Sequence, residues 1–278
     1  MATQAVPCPT PEPLLRAVNL RKTFGRNSFW ADKHRKVVAV NGVSFTIARG
    51  SCAALIGQSG SGKSTLAACL ARLEDLDQGE IWFDGVNRTQ LRGSALRAAR
   101  PQVQLIFQDA TAALNPRLTA IELVEEPLVI QEMNGKKREQ ACEILQKLGI
   151  PEDRYTLRPE EFSGGQRKRI ALARALVLNP RLLILDEVFS GLDLLVARQI
   201  FTQLLELQSE RELSLLFVSH DLTLLAQAVD SIMVMQHGEM VEHGKLVDLL
   251  SCAQHPYTKS LLAAHLEMQS SRAKGAAQ

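Results

Sequence analysis

Residues 53–65 read AALIGQSGSGKST, and this stretch decides the fold. The apolar run 53–56 is typical of a buried strand, and the residues after it fit the pattern G-x-x-x-x-G-K-S. Such a loop curls its backbone N–H groups around phosphates, between a strand and the N-terminus of a helix, here predicted over residues 64–73. The sequence therefore predicts an α/β fold with a phosphate-binding P-loop.

The P-loop predicts a nucleotide site that also binds Mg²⁺. Lys63 is expected to reach the β- and γ-phosphates, and the hydroxyl of Ser64 is expected to ligate Mg²⁺. The candidate nucleotide-binding residues are Gly57, Gln58, Ser59, Gly60, Ser61, Gly62, Lys63, Ser64 and Thr65.

A second glycine-rich stretch, FSGGQRKR at residues 162–169, also opens a predicted helix. Its small residues Ser163, Gly164, Gly165 and Gln166 expose backbone N–H groups ahead of an apolar-periodic helix over about 167–178, whose N-terminus favours an anion. Taken alone, the stretch is equally well explained as an N-cap serine followed by flexible glycines. Its position just before the run 182–185 favours the anion site.

Four mostly apolar runs each end in residues suited to nucleotide chemistry. They are 53–56 before the P-loop, 103–107 before Gln108, 182–185 before Asp186, and 215–218 before Ser219 and His220. Strands buried on both faces read as continuous apolar runs, and open α/β sheets bind ligands beyond the carboxyl ends of their strands. The four segments therefore predict one catalytic edge.

Two adjacent carboxylates follow the third of these runs. Asp186 is expected to hold Mg²⁺ directly or through water, and Glu187 to act as the general base on the attacking water. The competing interpretation of Glu187 is a solvated loop carboxylate. The position after a buried strand favours the catalytic role.

The order of these motifs resembles that of the ATP-binding cassette (ABC) ATPases, from about Leu15 to Met240. The resemblance implies an α/β P-loop NTPase ABC cassette with a mixed-sheet core, a β subdomain and a helical insertion subdomain. It also implies a head-to-tail pair of cassettes, in which Ser163, Gly164, Gly165 and Gln166 form the signature that contacts ATP held by the partner.

Further roles come from the same resemblance. Gln108 resembles the Q-loop glutamine, which reaches Mg²⁺ and the attacking water, so the implied metal ligands are Ser64, Gln108 and Asp186. His220 resembles the switch histidine that contacts the γ-phosphate, and Asp193 resembles the D-loop aspartate that crosses the dimer interface. Phe24 stands where an aromatic ring stacks on adenine, and Phe29 and Trp30 compete for that role.

The resemblance also divides the chain. The expected parts are a flexible lead (1–13), an ATPase core with the P-loop (14–108), a helical signature subdomain (109–162), the signature helix with the rest of the core (163–245), and a C-terminal helical extension and tail (246–278). Within the helical subdomain, helices are predicted over 121–130 and 136–148. Pro127 should kink or end the first of them early, and Gly149 with Pro151 should close the second.

Composition limits the classes of function. A net charge of +2 with 22% charged residues gives no electrostatic argument for a nucleic-acid partner. The five cysteines have no C-x-x-C spacing, which favours a reducing compartment. The first 13 residues lack the features of a signal peptide, and no run approaches the roughly 18 apolar residues that span a bilayer. Any membrane role is therefore expected to come through partners.

Two segments resemble the peptide and nickel importer branch of the family: FQDATAALNPR at 107–117 and HPYTKSLL at 255–262. The stretch LLILDEVFSGLDL at 182–194 looks most like nickel-import ATPases. The expected function is an ATP-hydrolysing subunit that energises uptake of nickel or another chelated transition metal in a bacterium, with di- or oligopeptide as the alternative. A soluble ABC ATPase of DNA repair or translation, and a nucleotide-binding scaffold without turnover, are less favoured.

The resemblance implies several partners. They are a second ABC ATPase subunit, identical or paralogous, two transmembrane permease subunits and an extracytoplasmic substrate-binding protein, without nucleic acid. The expected location is the cytoplasmic face of the inner membrane, as a peripheral protein. Exposed residues near 109–117 are expected to receive a coupling helix of a permease subunit.

Overall fold

The computed structural model describes residues 12–25 and 36–263. Most of the predicted lead, the stretch 26–35 with Phe29 and Trp30, and residues 264–278 of the predicted tail lie outside the described residues. Within the described residues, two β-sheets and a set of helices form three layers.

The central layer is a six-stranded mixed sheet in the order β10-β9-β3-β8-β7-β6. Its strands are β3 (Cys52–Ile56), β6 (Val103–Ile106), β7 (Leu182–Asp186), β8 (Ser214–Ser219), β9 (Ser231–Gln236) and β10 (Glu239–Gly244). Neighbouring strands are parallel except for β10, which is antiparallel to β9. The predicted mixed-sheet core is confirmed, and the four predicted strands are β3, β6, β7 and β8.

A four-stranded antiparallel sheet in the order β2-β1-β4-β5 covers one face of this core. Its strands are β1 (Leu15–Phe24), β2 (Val37–Ile47), β4 (Gln78–Phe83) and β5 (Val86–Asn87). The helices are α1 (Lys63–Leu70), α2 (Gly93–Ala99), α3 (Ala120–Ile130), α4 (Lys137–Lys147), α5 (Gly164–Leu176), α6 (Leu194–Arg211), α7 (Leu246–Cys252) and α8 (256–263).

The central strands are apolar throughout because they separate two hydrophobic cores. In β3, Cys52, Ala54 and Ile56 pack with helices α3 to α6, whereas Ala53 and Leu55 pack with α1 and the antiparallel sheet. Strands β7 and β8 alternate in the same way. Side chains of a strand alternate between faces, so burial on both faces demands an unbroken apolar run.

Helix α3 continues through Pro127 to Ile130, so the expectation that this proline ends the helix early is wrong. A capping box between Thr119 and Glu122 fixes its start, and its buried face packs into the core beside α5. Tertiary packing therefore outweighs the backbone hydrogen bond that proline cannot donate. The predicted end of α4 is confirmed, since Gly149 follows it with φ of 70°.

Two other helix boundaries differ from the prediction. Helix α5 begins at Gly164 rather than near Arg167, because Ser163 and Gln166 form a capping box one turn earlier. Helix α1 ends at Leu70 rather than residue 73, because Arg72 turns into the left-handed region with φ of 56°. The buried guanidinium of Arg72 donates hydrogen bonds to the backbone carbonyl of Arg88 and to the carboxylate of Asp75.

Candidate ATP-hydrolysis site

The P-loop lies between β3 and α1, and its glycines fit against neighbouring strands. A Cβ on Gly57 would lie 2.2 Å from the carbonyl oxygen of Met235, and one on Gly62 would lie 2.0 Å from that of Ala39. Since real Cβ atoms do not approach so closely, neither position accepts a larger residue without a shift of the backbone. The cradle is therefore shaped by packing as well as by its own N–H groups.

Lys63 is buried inside the curl of this loop. Its Nζ donates to the carbonyl oxygens of Gly57 and Gln58, at 2.8 Å each. Burial lowers the pKa of the Lys63 amine, and the nearby carboxylates of Glu187 and Asp186 oppose that shift. The loop thus holds a cation at the centre of a ring of backbone groups, which is the arrangement that binds phosphate oxygens.

Asp186 lies at the end of β7, buried beside the start of α1. Burial raises the pKa of its carboxyl, whereas a hydrogen bond from the Ser64 side chain and the charge of Lys63 lower it. Its Oδ1 atom is buried without a hydrogen-bond partner. An orphaned carboxylate oxygen beside a hydroxyl is a donor set that fits Mg²⁺.

Glu187 and His220 meet because their strands are neighbours. Strand β7 pairs with β8, so Asp186 is in register with Val218, and the Glu187 N–H donates to the carbonyl of Val218 at 2.9 Å. The Oε1 atom of Glu187 then lies 3.1 Å from Nδ1 of His220. Glu187 has a φ of 48°, an uncommon backbone conformation for a non-glycine residue that recurs at functional sites.

The signature residues begin α5. The Ser163 hydroxyl accepts the Gln166 N–H at 3.3 Å, and Gln166 Oε1 accepts the Ser163 N–H at 3.1 Å. The predicted N-cap and anion-binding interpretations are compatible, since the cap leaves the first N–H groups of the helix exposed. A Cβ on Gly165 would lie 2.8 Å from Cγ1 of Val196 in α6, whereas one on Gly164 would have nothing within 4 Å.

The remaining predicted residues lie on three different elements. Gln108 is exposed just beyond β6, at the carboxyl edge of the same sheet. Asp193 caps α6, with Oδ1 accepting the Val196 N–H at 2.9 Å. Phe24 is exposed at the end of β1, and the Lys22 amine lies 5.0 Å from its ring centroid.

Sequence reasoning missed two residues near the site. Lys168 in α5 donates to the carbonyl oxygens of Val188 and Ser190, at 2.6 and 2.5 Å, and so ties the signature helix to the loop after Glu187. Tyr257 in α8 accepts the Gln58 N–H of the P-loop at 2.7 Å. A basic residue within a helix and a tyrosine after the core carry no local signal for such long-range contacts.

Fold and site together define a P-loop ATPase of the cassette type. The sequence model of the family described as ABC transporter matches residues 40–190. Dipeptide transport ATP-binding protein DppF of Haemophilus influenzae is 39% identical over 254 residues, which cover 91% of this chain and 78% of that protein. Oligopeptide transport ATP-binding protein OppF of Streptococcus mutans is 37% identical over 254 residues, which cover 90% of this chain and 81% of that protein.

A solved structure agrees with these relatives. The dimeric post-hydrolysis structure of the ATP-binding cassette MJ0796, bound to ADP and Pi, superposes with a TM-score of 0.75 at 28% identity, over 84% of this chain and 98% of that one. The chain belongs to the ABC transporter family, as an ATP-binding subunit that hydrolyses ATP. Subunits of this family dimerise and work with membrane permease subunits. Among the described residues, no helix is long and apolar enough to cross a membrane.

Proposed function

We propose that this chain is the ATPase subunit of a bacterial importer of di- or oligopeptides. The observation that carries this proposal is the similarity over about nine-tenths of the chain to relatives named for dipeptide and oligopeptide transport. Nickel, the cargo favoured from residues 182–194, has no matching name among these relatives. The peptide alternative is therefore the better supported cargo.

Hydrolysis is assigned to the polar groups at the carboxyl edge of the central sheet. Lys63 and the N–H groups of residues 57–65 would bind the phosphates of ATP. Ser64, Gln108 and Asp186 would hold Mg²⁺, which neutralises charge on the phosphates when bound. Phe24, exposed at the end of β1, would stack on adenine.

Glu187 is proposed as the general base that polarises the attacking water. Its carboxylate lies 3.1 Å from the His220 ring, which would orient it and contact the γ-phosphate. The Glu187 N–H donates to the carbonyl of Val218, which anchors the backbone beside β8, and the carboxylate meets the His220 ring. This fixed pair is the geometric support for turnover rather than mere nucleotide binding.

The ATP site is proposed to be completed by a partner cassette. Ser163, Gly164, Gly165 and Gln166 would contact ATP held by that partner, and Asp193 would lie at the same interface. The Lys168 amine joins the signature helix to the loop after Glu187 by two hydrogen bonds. A lone chain should therefore hydrolyse ATP slowly.

The importer assignment implies further partners and a location. An extracytoplasmic substrate-binding protein would deliver the peptide to the two permease subunits, and the ATPase would sit peripherally on the cytoplasmic face of the inner membrane. The five proposed parts of the chain would be the flexible lead, two core parts, a helical subdomain and a C-terminal extension. Residues 109–117, between β6 and α3, would receive the permease.

Substituting the base tests the catalytic assignment. Glu187→Gln should abolish turnover in the assembled transporter and leave an ATP-bound dimer, because binding groups remain while the base is lost. Glu206→Gln, on an exposed position of α6, is the matched control and should retain wild-type turnover. Turnover is measured as phosphate release, and the dimer is detected by size exclusion. Wild-type turnover by Glu187→Gln would contradict the role of Glu187 as the base.

Cargo is tested separately with the reconstituted complex. ATP hydrolysis should rise when the binding protein is loaded with a di- or oligopeptide. Stimulation by Ni²⁺ or a nickel chelate, and none by peptides, would reverse the cargo assignment without affecting the ATPase.

A further inference from the structure

The C-terminal extension reaches back to the P-loop. The Tyr257 hydroxyl oxygen accepts a hydrogen bond from the Gln58 backbone N–H at 2.7 Å, between residues that are 199 positions apart in the chain. Gln58 is the second residue of the G-x-x-x-x-G-K-S pattern. Residues 255–262 gave a family resemblance, but hydrolysis as proposed above uses none of them.

Hydrogen bonds and core packing hold the residues around Tyr257 in place and so position its hydroxyl. Glu242 of β10 accepts the backbone N–H groups of Gln254 and His255, at 2.7 and 3.1 Å, just before α8. A carboxylate at that point also favours the helix N-terminus. Leu262 is buried in the main core, and the Tyr257 ring packs against the same core.

The Tyr257 hydroxyl holds the peptide group between Gly57 and Gln58, whose other hydrogen-bond partner is the Lys63 amine. The Gln58 N–H, which donates to Tyr257, belongs to the same peptide group as the Gly57 carbonyl, and that carbonyl accepts from Lys63 Nζ at 2.8 Å. When Lys63 turns to phosphate oxygens, the Gly57 carbonyl loses its charged partner. The Tyr257 bond does not depend on the lysine, and it still holds the first half of the loop.

We propose that Tyr257 is a positioning residue of the ATP site, whose hydroxyl keeps the P-loop in its binding shape. The inference rests on the proposed assignment of ATP to residues 57–65. Loss of one neutral hydrogen bond should weaken nucleotide binding by about two- to tenfold. The chemical step should be unchanged, because Tyr257 acts on the loop and not on the reacting atoms.

Tyr257→Phe tests the proposal, because it removes the hydroxyl and keeps the ring that packs on the core. The Kd of MgADP is measured by calorimetry on the full chain, and KM and kcat for ATP are measured in the assembled transporter. The expected result is a two- to tenfold rise in Kd and KM, with kcat unchanged. Wild-type Kd and KM in this variant overturn the inference.

The chain offers one matched control, because it contains two tyrosines. Tyr155, in the helical subdomain, donates its hydroxyl hydrogen to the Cys142 carbonyl at 3.1 Å, away from the P-loop. Tyr155→Phe makes the same chemical change and should leave Kd and KM at wild-type values. An equal rise in both variants overturns the inference, since it indicates a general effect on the fold.

A second measurement follows the tyrosine directly. Labelling with 3-fluorotyrosine gives two fluorine signals, and Tyr155→Phe identifies the one from Tyr257. That signal should shift when MgADP binds, and its failure to shift at saturating nucleotide argues against the contact.

A third variant distinguishes failure of the proposed ATP site from failure of the proposed role of Tyr257. Lys63→Ala should abolish nucleotide binding; retained wild-type affinity overturns the proposed site and the inference with it. If Lys63→Ala abolishes binding while Tyr257→Phe has no effect, only the inference fails.

Discussion

Gly165 allows a close approach between the signature helix and α6, and this contact can be measured as a coupling energy. A Cβ at Gly165 would lie 2.8 Å from Cγ1 of Val196 and 3.9 Å from Cδ2 of Leu192. Valine is β-branched and stiff at χ1, so its methyl group cannot swing away cheaply. We therefore expect Gly165→Ala to strain the packing of α5 on α6.

The magnitude follows from two opposing effects. Overpacking of this kind costs about 1–3 kcal/mol. Replacing glycine by alanine inside a helix returns about 0.5–1 kcal/mol. Gly165→Ala should thus lower the free energy of unfolding by about 1 kcal/mol, within limits of about 0 and 2.5 kcal/mol.

The double variant Gly165→Ala with Val196→Ala isolates the contact. Val196→Ala alone should cost about 1 kcal/mol, because Val196 is half-buried. If the methyl clash is the cause, the two losses should not add, and the coupling energy should be about 1–2 kcal/mol. Gly164→Ala is the control, since an added Cβ there meets open space, and it should leave stability unchanged or slightly raised.

Urea unfolding of the full chain without nucleotide, followed by far-UV circular dichroism, gives the free energies of unfolding of the wild type and the four variants. Equal stability of the Gly164 and Gly165 variants, or strict additivity with Val196→Ala, would refute the proposed packing. The isolated chain is the right sample, because contacts with a partner's ATP cannot contribute. A catalytic defect of Gly164→Ala without a stability loss would then belong to the partner interface.

Two other predictions concern an amine and two thiols whose pKa values are shifted by burial. Lys168→Met should lower the free energy of unfolding by about 2 kcal/mol in urea titrations, because two charge-assisted hydrogen bonds to the loop 188–190 are lost; wild-type stability would contradict those contacts. Burial raises the pKa of the Cys52 and Cys69 thiols to about 12, so both stay protonated at pH 8, whereas unfolding returns them toward 9.0. Iodoacetamide at pH 8 should therefore modify exposed Cys252 before Cys52 and Cys69, and early labelling of Cys52 or Cys69 in mass spectra would oppose this.

The strands of the central sheet, and the edge at which their polar residues meet, could be predicted from the apolar pattern of the sequence. The run 182–185 is apolar at every position because its side chains alternate between two cores, and a strand buried on both faces has no other composition available. Parallel strands bring their carboxyl ends to one edge, so the polar residues after each run could be assigned to one site. The carboxylate of Glu187 does meet His220.

Helix boundaries were less predictable. Pro127 lies inside α3, because packing of the apolar face against the core outweighs a missing hydrogen bond. The start of α5 moved to Gly164, because a reciprocal cap formed that glycine propensity alone would not suggest. Both errors arose where tertiary or side-chain contacts overrode local preference.

The sequence by itself determined the local motifs of this protein: a P-loop, a carboxylate proposed as the general base and a second glycine-rich helix start, each encoded within about ten residues. Only the tertiary structure decided which distant groups support that chemistry. The Lys168 amine reaches the loop after Glu187, and Tyr257 meets Gln58 across 199 positions of chain. The physical reason is that each motif is local, because its backbone N–H groups and the strand end beside them follow one another in sequence. A long-range hydrogen bond such as that of Tyr257 instead depends on how separate elements pack in the folded chain.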